Sequence, residues 1–123
     1  MNIDHINISA PKDLLREIKY FYCTVLNLQE GYRPSFSRPG FWLYSGDRPL
    51  VHLTESKMHY GGEWRGYLDH VAFQTEDLAA VVEGLELLGV SYRKTHVPDT
   101  GVTQLFFEDP AGTGLEVNCI DRS

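Results

Sequence analysis

The chain has 123 residues, which is enough for one domain with a proper core and too few for two independent ones. Its apolar content of 42% and charged content of 23% are ordinary for a globular protein. A net charge of −6 without any basic run argues against nucleic acid as a partner. No apolar stretch approaches membrane-spanning length and the first residues lack the pattern of a signal peptide, so we expect a cytoplasmic protein without membrane contact.

The first half of the chain predicts a strand, a helix and three further strands. Residues 2–9 alternate in polarity and contain three isoleucines, which favours a strand. Pro11 is well suited to open a helix, because its missing N–H does no harm there. The apolar face of this helix is formed by Leu14, Leu15, Ile18, Phe21, Tyr22, Val25 and Leu26. Three short strands are predicted at residues 29–33, 40–45 and 49–55, separated by turn-forming proline and glycine.

The same plan then repeats after a polar, glycine-rich connection at residues 57–66. A strand is predicted at residues 67–75, followed by a helix that begins at Asp77 and ends at Gly89. The last three strands are predicted at residues 90–94, 102–107 and 114–120. The repeat predicts an α+β fold in which one domain, residues 1–123, contains two βαβββ modules, residues 1–56 and 67–123.

Four residues of metal-ligating type occupy matching positions in the two modules. They are His5 and His52 in the first module and His70 and Glu116 in the second. Each lies in an apolar, strand-like run, where an unpaired imidazole or carboxylate is costly to bury. If the first and last strands of a module are neighbours, its two residues lie side by side. Two modules that face each other then direct all four at one divalent cation.

The ligand types limit the choice of metal but do not identify it. Imidazole suits Zn, Ni, Fe and Cu, and a carboxylate also admits Mn, Mg and Co, so we expect one divalent metal per site, drawn from Zn, Ni, Fe, Mn or Co. An octahedral ion with four protein ligands keeps two positions open for water or a bidentate substrate, as catalysis requires. Taken alone, each histidine is more often a hydrogen-bonded structural residue, and only the repeat favours the metal site.

Four other residues are candidates for contact with a small-molecule substrate. Arg33 recurs as Arg93 in the second module and is suited to an anionic group, although a solvated strand end is the more usual explanation for such a residue. Trp42 and Tyr44 share one strand face, and Gln104 lies on a corresponding strand of the second module. Ordinary core packing would use the same aromatic residues.

Two segments carry a resemblance to a known family. Residues 107–116 read Phe-Glu-Asp-Pro-Ala-Gly-Thr-Gly-Leu-Glu, and residues 20–28 end in Leu-Asn-Leu. With the ligand positions, they resemble the vicinal oxygen chelate superfamily, the glyoxalase I, bleomycin-resistance and extradiol-dioxygenase group, with Asn27 where glycine is usual. The resemblance implies that the two βαβββ modules form an eight-stranded, cup-shaped mixed sheet with the helices outside. It also implies that His5, His52, His70 and Glu116 are the ligands, and that a small member is a homodimer whose cup is completed between two chains.

The resemblance leaves three functions open. The leading hypothesis is a metal-dependent lyase or isomerase of glyoxalase I type that acts on a small substrate with adjacent oxygens. Glu116 would be its catalytic base, because His52 stands where bacterial-type glyoxalase I has a second glutamate. The alternatives are a non-haem iron dioxygenase of extradiol type and a non-enzymatic protein that binds an antibiotic or an aromatic ligand.

Overall fold

The computed structural model describes residues 1–64 and 66–120. Arg65, in the predicted connection, and residues 121–123, at the end of the second module, lie outside the described residues. The elements follow in the order β1 (Ile6–Ala10), α1 (Lys12–Val25), β2 (Gln29–Gly31), β3 (Gly40–Ser45), β4 (Arg48–Glu55), β5 (His70–Gln74), α2 (Leu78–Leu87), β6 (Arg93–Val97), β7 (Val102–Glu108) and β8 (Gly114–Ile120). This order confirms the α+β fold with two βαβββ modules.

The eight strands are divided between two four-stranded sheets, one for each module. Their strand orders are β1-β4-β3-β2 and β5-β8-β7-β6. Both sheets are mixed, because the first and last strands of each module run parallel while the other neighbours are antiparallel. β1 and β5 are therefore edge strands, and each lies beside the strand that carries the second metal-ligand candidate of its module.

The two modules share a hydrophobic core through their helices. Leu15, Ile18 and Val25 of α1 and Leu85 of α2 are almost fully buried in one cluster with residues of both sheets. The two helices also pack against each other. Gly84 permits this approach, since a Cβ atom at that position would lie 2.5 Å from the Thr24 carbonyl oxygen. In the described part of the chain neither helix has the length and apolarity needed to cross a membrane.

Three strands begin later than predicted, and β2 ends at Gly31 instead of residue 33. β1 begins at Ile6 and β5 at His70, because the residues ahead of them are exposed and lie outside the ladders. The strand predicted at residues 90–94 is found at Arg93–Val97. Gly89, at φ +66°, reverses the chain after α2, and the Val90 N–H bonds to the Leu85 carbonyl oxygen at 2.9 Å. Val90 therefore closes the helix end and packs against the core instead of pairing in a strand.

Asn27 explains how the end of α1 tolerates the missing glycine. Its φ is +56°, in the left-handed region that favours glycine and that asparagine enters more readily than most other residues. The Leu26 N–H still bonds to the Tyr22 carbonyl oxygen at 3.1 Å, so the helix ends there. Asparagine at this position therefore adopts a backbone conformation that glycine would also adopt.

Candidate metal centre

In the first sheet, three planar side chains stack across three neighbouring chain segments. The His5 and His52 rings lie 3.7 Å apart with an interplanar angle of 10°. Trp42 is directly opposite His52 in the β3–β4 ladder, and its ring stacks on His52 at 4.0 Å. His5 comes directly before β1 and reaches this face because β1 and β4 are neighbours. The sheet therefore sets His52 between an indole and a second imidazole.

In the second sheet, His70 lies beside Glu116. The distance from His70 Nε2 to Glu116 Oε1 is 3.4 Å. His70 begins β5, and the parallel β5–β8 ladder brings it to the strand that carries Glu116. The Glu116 residue is only 8% exposed, so its carboxylate requires compensation by hydrogen bonds or a cation. Its second oxygen, Oε2, accepts hydrogen bonds from Gln104 Nε2 at 3.2 Å and from Asn118 Nδ2 at 2.7 Å.

Each module has an aspartate that fixes the tautomer of its first histidine. His5 Nδ1 lies 2.7 Å from Asp4 Oδ2, and His70 Nδ1 lies 2.8 Å from Asp69 Oδ2. A carboxylate accepts, so Nδ1 carries a proton in each contact and Nε2 is the ring nitrogen left to bind a metal. The bond with His5 also lowers the pKa of Asp4. These contacts repeat the carboxylate–histidine arrangement that orients histidine ligands in metal sites.

His52 is held differently from the other histidines. Its Nε2 donates to the Pro49 carbonyl oxygen at 3.1 Å, which leaves Nδ1 as its free lone pair. Burial lowers the pKa of His52, and the nearby positive charge of Arg33 lowers it further, so the ring is favoured in its neutral form. Because the His5 and His52 rings are parallel, their in-plane lone pairs do not converge. A common ion therefore requires one ring to rotate, at the cost of the Pro49 bond if that ring is His52.

The two pairs do not meet within one chain. Within residues 1–64 and 66–120, no group of three or more His, Cys, Asp or Glu side chains is arranged to hold a metal ion. Among the described residues, the four ligand candidates are therefore not brought together within one chain. The donors themselves suit a divalent cation, since they offer three imidazole nitrogens and the Glu116 Oε1 oxygen. His5 and His70 are exposed, so each pair opens to the surface.

Arg33 and Trp42, two of the predicted substrate contacts, lie near the histidine stack. The Arg33 guanidinium lies over the Phe36 ring at 4.8 Å and donates from Nη2 to the Arg38 carbonyl oxygen at 3.0 Å. Gly40 makes room for it, because a Cβ atom there would lie 3.0 Å from Arg33 Nη2. Phe36 also approaches Trp42, with ring centroids 6.1 Å apart. A row of planar groups thus leads from Arg33 to the histidine pair.

Tyr44 and Gln104, the other two predicted substrate contacts, have their polar groups engaged within the protein. The Tyr44 hydroxyl donates to the Tyr32 carbonyl oxygen at 2.6 Å. The Gln104 amide donates to Glu116 and accepts from Thr95 Oγ1 at 3.3 Å. Asn118 was not anticipated from the sequence, although its position two residues after Glu116 assigns it to the same strand face.

The two remaining histidines lie outside the pairs. His59, in the connection, bonds to Glu63 at 3.0 Å and is exposed. His96 is also exposed and shares a hydrogen bond of 3.0 Å with Thr103, on the face of the second sheet opposite to Gln104. Neither of these two exposed side chains contributes to the His5–His52 pair or to the His70–Glu116 pair.

Comparisons with known proteins give the family. The sequence profile of the Glyoxalase/Bleomycin resistance protein/Dioxygenase superfamily matches residues 2–117. Glyoxylase I 4 of Arabidopsis thaliana is 41% identical over 126 residues, covering 96% of this chain and 71% of that protein. The structure of a glyoxylase/bleomycin resistance protein/dioxygenase domain from Frankia sp. EAN1pec matches with a TM-score of 0.75 at 21% identity, over 100% of this chain and 94% of that chain.

A fosfomycin resistance protein has the same fold. A single-residue mutant of FosX from Listeria monocytogenes, solved with Mn(II) and 1S,2S-dihydroxypropylphosphonic acid, matches with a TM-score of 0.70 at 18% identity. The match covers 96% of this chain and 91% of that chain. The structural likenesses establish the fold, and the profile match and the Arabidopsis relative establish the family. The chain belongs to the glyoxalase, bleomycin resistance protein and dioxygenase superfamily, as its sequence resemblance predicted.

Proposed function

We propose that this protein is a divalent-metal-dependent enzyme of glyoxalase type, a lyase or isomerase that acts on a small substrate with adjacent oxygens. The observation that supports this most strongly is the pairing of His5 with His52 and of His70 with Glu116 on corresponding strands of two sheets. The aspartate that orients the first histidine of each pair adds to this support. His59, outside the two pairs, also contacts a carboxylate, so the support comes from the recurrence of the contact at the same position in both modules.

The proposed ligands are His5 Nε2, His70 Nε2, Glu116 Oε1 and, after rotation of its ring, His52. Zn, Ni, Fe, Mn and Co all accept such donors. A divalent cation held by them would stabilise an oxyanion on a substrate that chelates through adjacent oxygens. The FosX structure is consistent with this chemistry, since it contains Mn(II) and a compound with two neighbouring hydroxyl groups. Glu116 is the only carboxylate of the four and is our candidate for the proton-transferring base.

We propose further that the site is formed between two chains of a homodimer. The pairs lie in different sheets of one chain and do not converge, and β1 and β5 are both edge strands that can pair with another chain. Ile3, Tyr67 and Leu68 are exposed apolar residues just ahead of these strands, at 75%, 110% and 71% exposure. A second copy that covers them would set His5 and His52 of one chain opposite His70 and Glu116 of the other, giving two sites per dimer.

Arg33 and Trp42 are our leading candidates for substrate contact. The Arg33 guanidinium has five N–H donors and, among the described residues, makes one hydrogen bond. Its charge lies close enough to His52 to affect that imidazole, so an anionic group on a metal-bound substrate would be within its influence. Tyr44 and Gln104 remain candidates for lining the substrate site, although their polar atoms already make hydrogen bonds within the protein.

An extradiol-type dioxygenase is the second candidate. The parallel His5 and His52 rings leave three donors that need no ring rotation: His5, His70 and Glu116. Two histidines and one carboxylate are the ligand set of non-haem Fe(II) oxygenases. Under this alternative His52 would remain on the Pro49 carbonyl oxygen and would not bind the metal.

The metal site and its position between chains can be tested together by mixing two double variants. His5→Ala/His52→Ala and His70→Ala/Glu116→Ala are each expected to lose the metal after reconstitution, as measured by elemental analysis. After subunit exchange in an equal mixture, heterodimers regain one intact site, so about one quarter of wild-type metal binding should return. His59→Ala/His96→Ala is the matched control and should retain the metal. Wild-type protein that binds no divalent metal would overturn the proposal, and a mixture without recovery would exclude a site between chains.

The reaction is tested on a single metal-loaded preparation. Isomerisation of a hemithioacetal without oxygen uptake supports the lyase or isomerase. Oxygen uptake with a catechol that depends on Fe(II) would instead support the dioxygenase. Metal-free protein that binds an aromatic compound but turns over neither substrate would favour the non-enzymatic alternative.

A further inference from the structure

One oxygen of the Glu116 carboxylate is held by two amide groups, while the other faces His70. Oε2 accepts from Asn118 Nδ2 at 2.7 Å and from Gln104 Nε2 at 3.2 Å. Oε1 lies 3.4 Å from His70 Nε2. The antiparallel β7–β8 ladder sets Gln104 opposite Asn118, and strand alternation puts both on the face of Glu116. We call Gln104 and Asn118 the amide clamp.

The orientation of each amide in the clamp is determined by its surroundings. Thr95 Oγ1 donates to Gln104 Oε1 at 3.3 Å, so the Gln104 nitrogen must face the carboxylate. Asn118 Oδ1 is buried and has no hydrogen-bond partner among the residues that the structure describes. Reversing that amide would press its oxygen against Glu116. Asn118 therefore keeps its donor on Glu116.

The first module provides an internal comparison. Trp42 pairs with His52 there as Phe106 pairs with Glu116, and Gly40 pairs with Thr54 as Gln104 pairs with Asn118. The two clamp positions thus hold a glycine and a threonine where the ligand candidate is an imidazole. Thr54 Oγ1 accepts a hydrogen bond from Asn7 at 2.9 Å and makes none with His52. Among the described residues, side-chain amides donate to the strand-borne ligand candidate only in the second module, where that candidate is a carboxylate.

From these contacts we propose that Gln104 and Asn118 are positioning residues that make Glu116 a single-oxygen ligand. With Oε2 occupied by two N–H donors, only Oε1 is available to a metal beside His70. The clamp would then set both the affinity and the coordination of the ion, and Thr95 supports it through Gln104. The inference rests on the proposed metal site, and it assigns Gln104 to the carboxylate instead of to the substrate.

Titration with Co(II), followed by visible absorbance, measures affinity and coordination together. Gln104→Leu and Asn118→Leu remove the donors while keeping a similar volume. Each is expected to raise the Kd for Co(II) by about 10–100-fold, because Glu116 loses one of the two hydrogen bonds that orient it. The Co(II) absorption bands are expected to change as well, because Oε2 is then less firmly held away from the ion. Thr103→Val is the matched control, since it removes a hydrogen bond from the same strand on the opposite face. Its Kd and spectrum should equal those of the wild type.

Thr95 gives a second, milder test should a leucine variant fail to fold. Thr95→Val is expected to weaken Co(II) binding by less than the leucine variants do, and Thr95→Ser, which keeps the hydroxyl, should restore it. Folded clamp variants with wild-type affinity and spectrum, beside a Glu116→Ala variant that loses Co(II), would overturn this inference alone. If the leucine variants do not fold, Thr95→Val decides the question. A Kd and a spectrum equal to those of Thr95→Ser would then overturn the inference. A wild-type protein that binds no Co(II) would overturn the proposed metal site together with the clamp.

Discussion

The Tyr22 hydroxyl donates a hydrogen bond of 2.7 Å to Oδ2 of Asp109 and so links the helix of the first module to a turn of the second. Both residues are buried. Asp109 Oδ1 accepts from the backbone N–H groups of Ala111 and Thr113 at 2.8 and 2.9 Å. One carboxylate thus orders the turn before β8 and attaches it to α1. Since β8 carries Glu116, this bond fixes the strand of the candidate metal ligand relative to the shared core.

Removing the Tyr22 hydroxyl should destabilise the protein. Tyr22→Phe keeps the ring but leaves the buried Asp109 carboxyl without one donor, and we expect the free energy of unfolding to fall by about 1–3 kcal/mol. Urea denaturation gives this value. Tyr20→Phe is the matched control, because Tyr20 lies on the same helix and is exposed. Equal stability of the two variants would show that the bond does not stabilise the junction.

The same carboxyl predicts a pH dependence of stability. Burial raises the pKa of Asp109 above its ordinary value of 3.8, against the hydrogen bonds from Tyr22 and Thr113 that lower it. The folded state therefore binds this proton more tightly than the unfolded state. The resulting stabilisation is fully present below the unfolded pKa and is lost as pH rises through the folded pKa.

Asp109→Asn isolates this contribution. Urea denaturation of both proteins from pH 3.8 to neutrality should show the free energy of unfolding of the wild type falling relative to that of the variant. Subtracting the free energy of unfolding of the variant from that of the wild type cancels the contribution of every titrating group that the two proteins share. A difference that rises with pH would mean that the hydrogen bonds outweigh burial and that the pKa is lowered.

The order of the elements could be predicted from the sequence because each depends on local periodicity. The apolar stripe from Leu15 to Val25 identifies α1 without knowledge of its partner. Boundaries were less predictable where one residue serves two purposes. Val90 is apolar and β-branched, which suggests a strand, yet it closes α2 and packs against the core. Periodicity alone does not distinguish these roles.

The candidate site was predictable within each module and not between modules. The repeat alone suggested that His5 would lie near His52 and His70 near Glu116, because neighbouring parallel strands set both pairs. The relative position of the two sheets depends on contacts that leave no periodic pattern in the sequence, such as the approach of Gly84 to Thr24. Hydrogen bonds between side chains, such as those of Asn118, also depend on rotamers that a sequence pattern does not encode.

The contact at Gly84 reverses the usual effect of a glycine substitution in a helix. Gly→Ala in an exposed helix interior normally stabilises by about 0.5–1 kcal/mol. Here a Cβ atom would lie 2.5 Å from the Thr24 carbonyl oxygen and 2.9 Å from Val25 Cα, both backbone atoms that can move only with α1. Gly84→Ala should therefore destabilise by about 1–3 kcal/mol, as overpacking does. Thermal or urea denaturation measures it.

Gly61 provides the comparison for this prediction. A Cβ atom at Gly61 meets nothing within 4 Å, so Gly61→Ala should leave stability nearly unchanged. If Gly84→Ala is as stable as Gly61→Ala, the two helices can separate without cost, and the close helix contact would not be what holds the modules together.

The aspartates beside the two exposed histidines should affect metal binding without themselves being ligands. Asp4→Ala removes the carboxylate that holds His5 Nδ1 at 2.7 Å, and Asp69→Ala does the same for His70 at 2.8 Å. Free of this constraint, each imidazole can turn or change tautomer, so we expect the Kd for Mn(II) or Zn(II) to rise by about 10–100-fold. Competition with a chromophoric chelator gives the constant.

A matched control exists elsewhere on the chain, because Glu63 makes the same kind of carboxylate–imidazole contact with His59 at 3.0 Å. Glu63→Ala should leave metal affinity at the wild-type value. An equal loss in Asp4→Ala and Glu63→Ala would indicate a general effect of charge, since both variants remove one negative charge. A loss confined to Asp4→Ala and Asp69→Ala would instead tie metal affinity to the orientation of His5 and His70, one from each sheet, as a shared site requires.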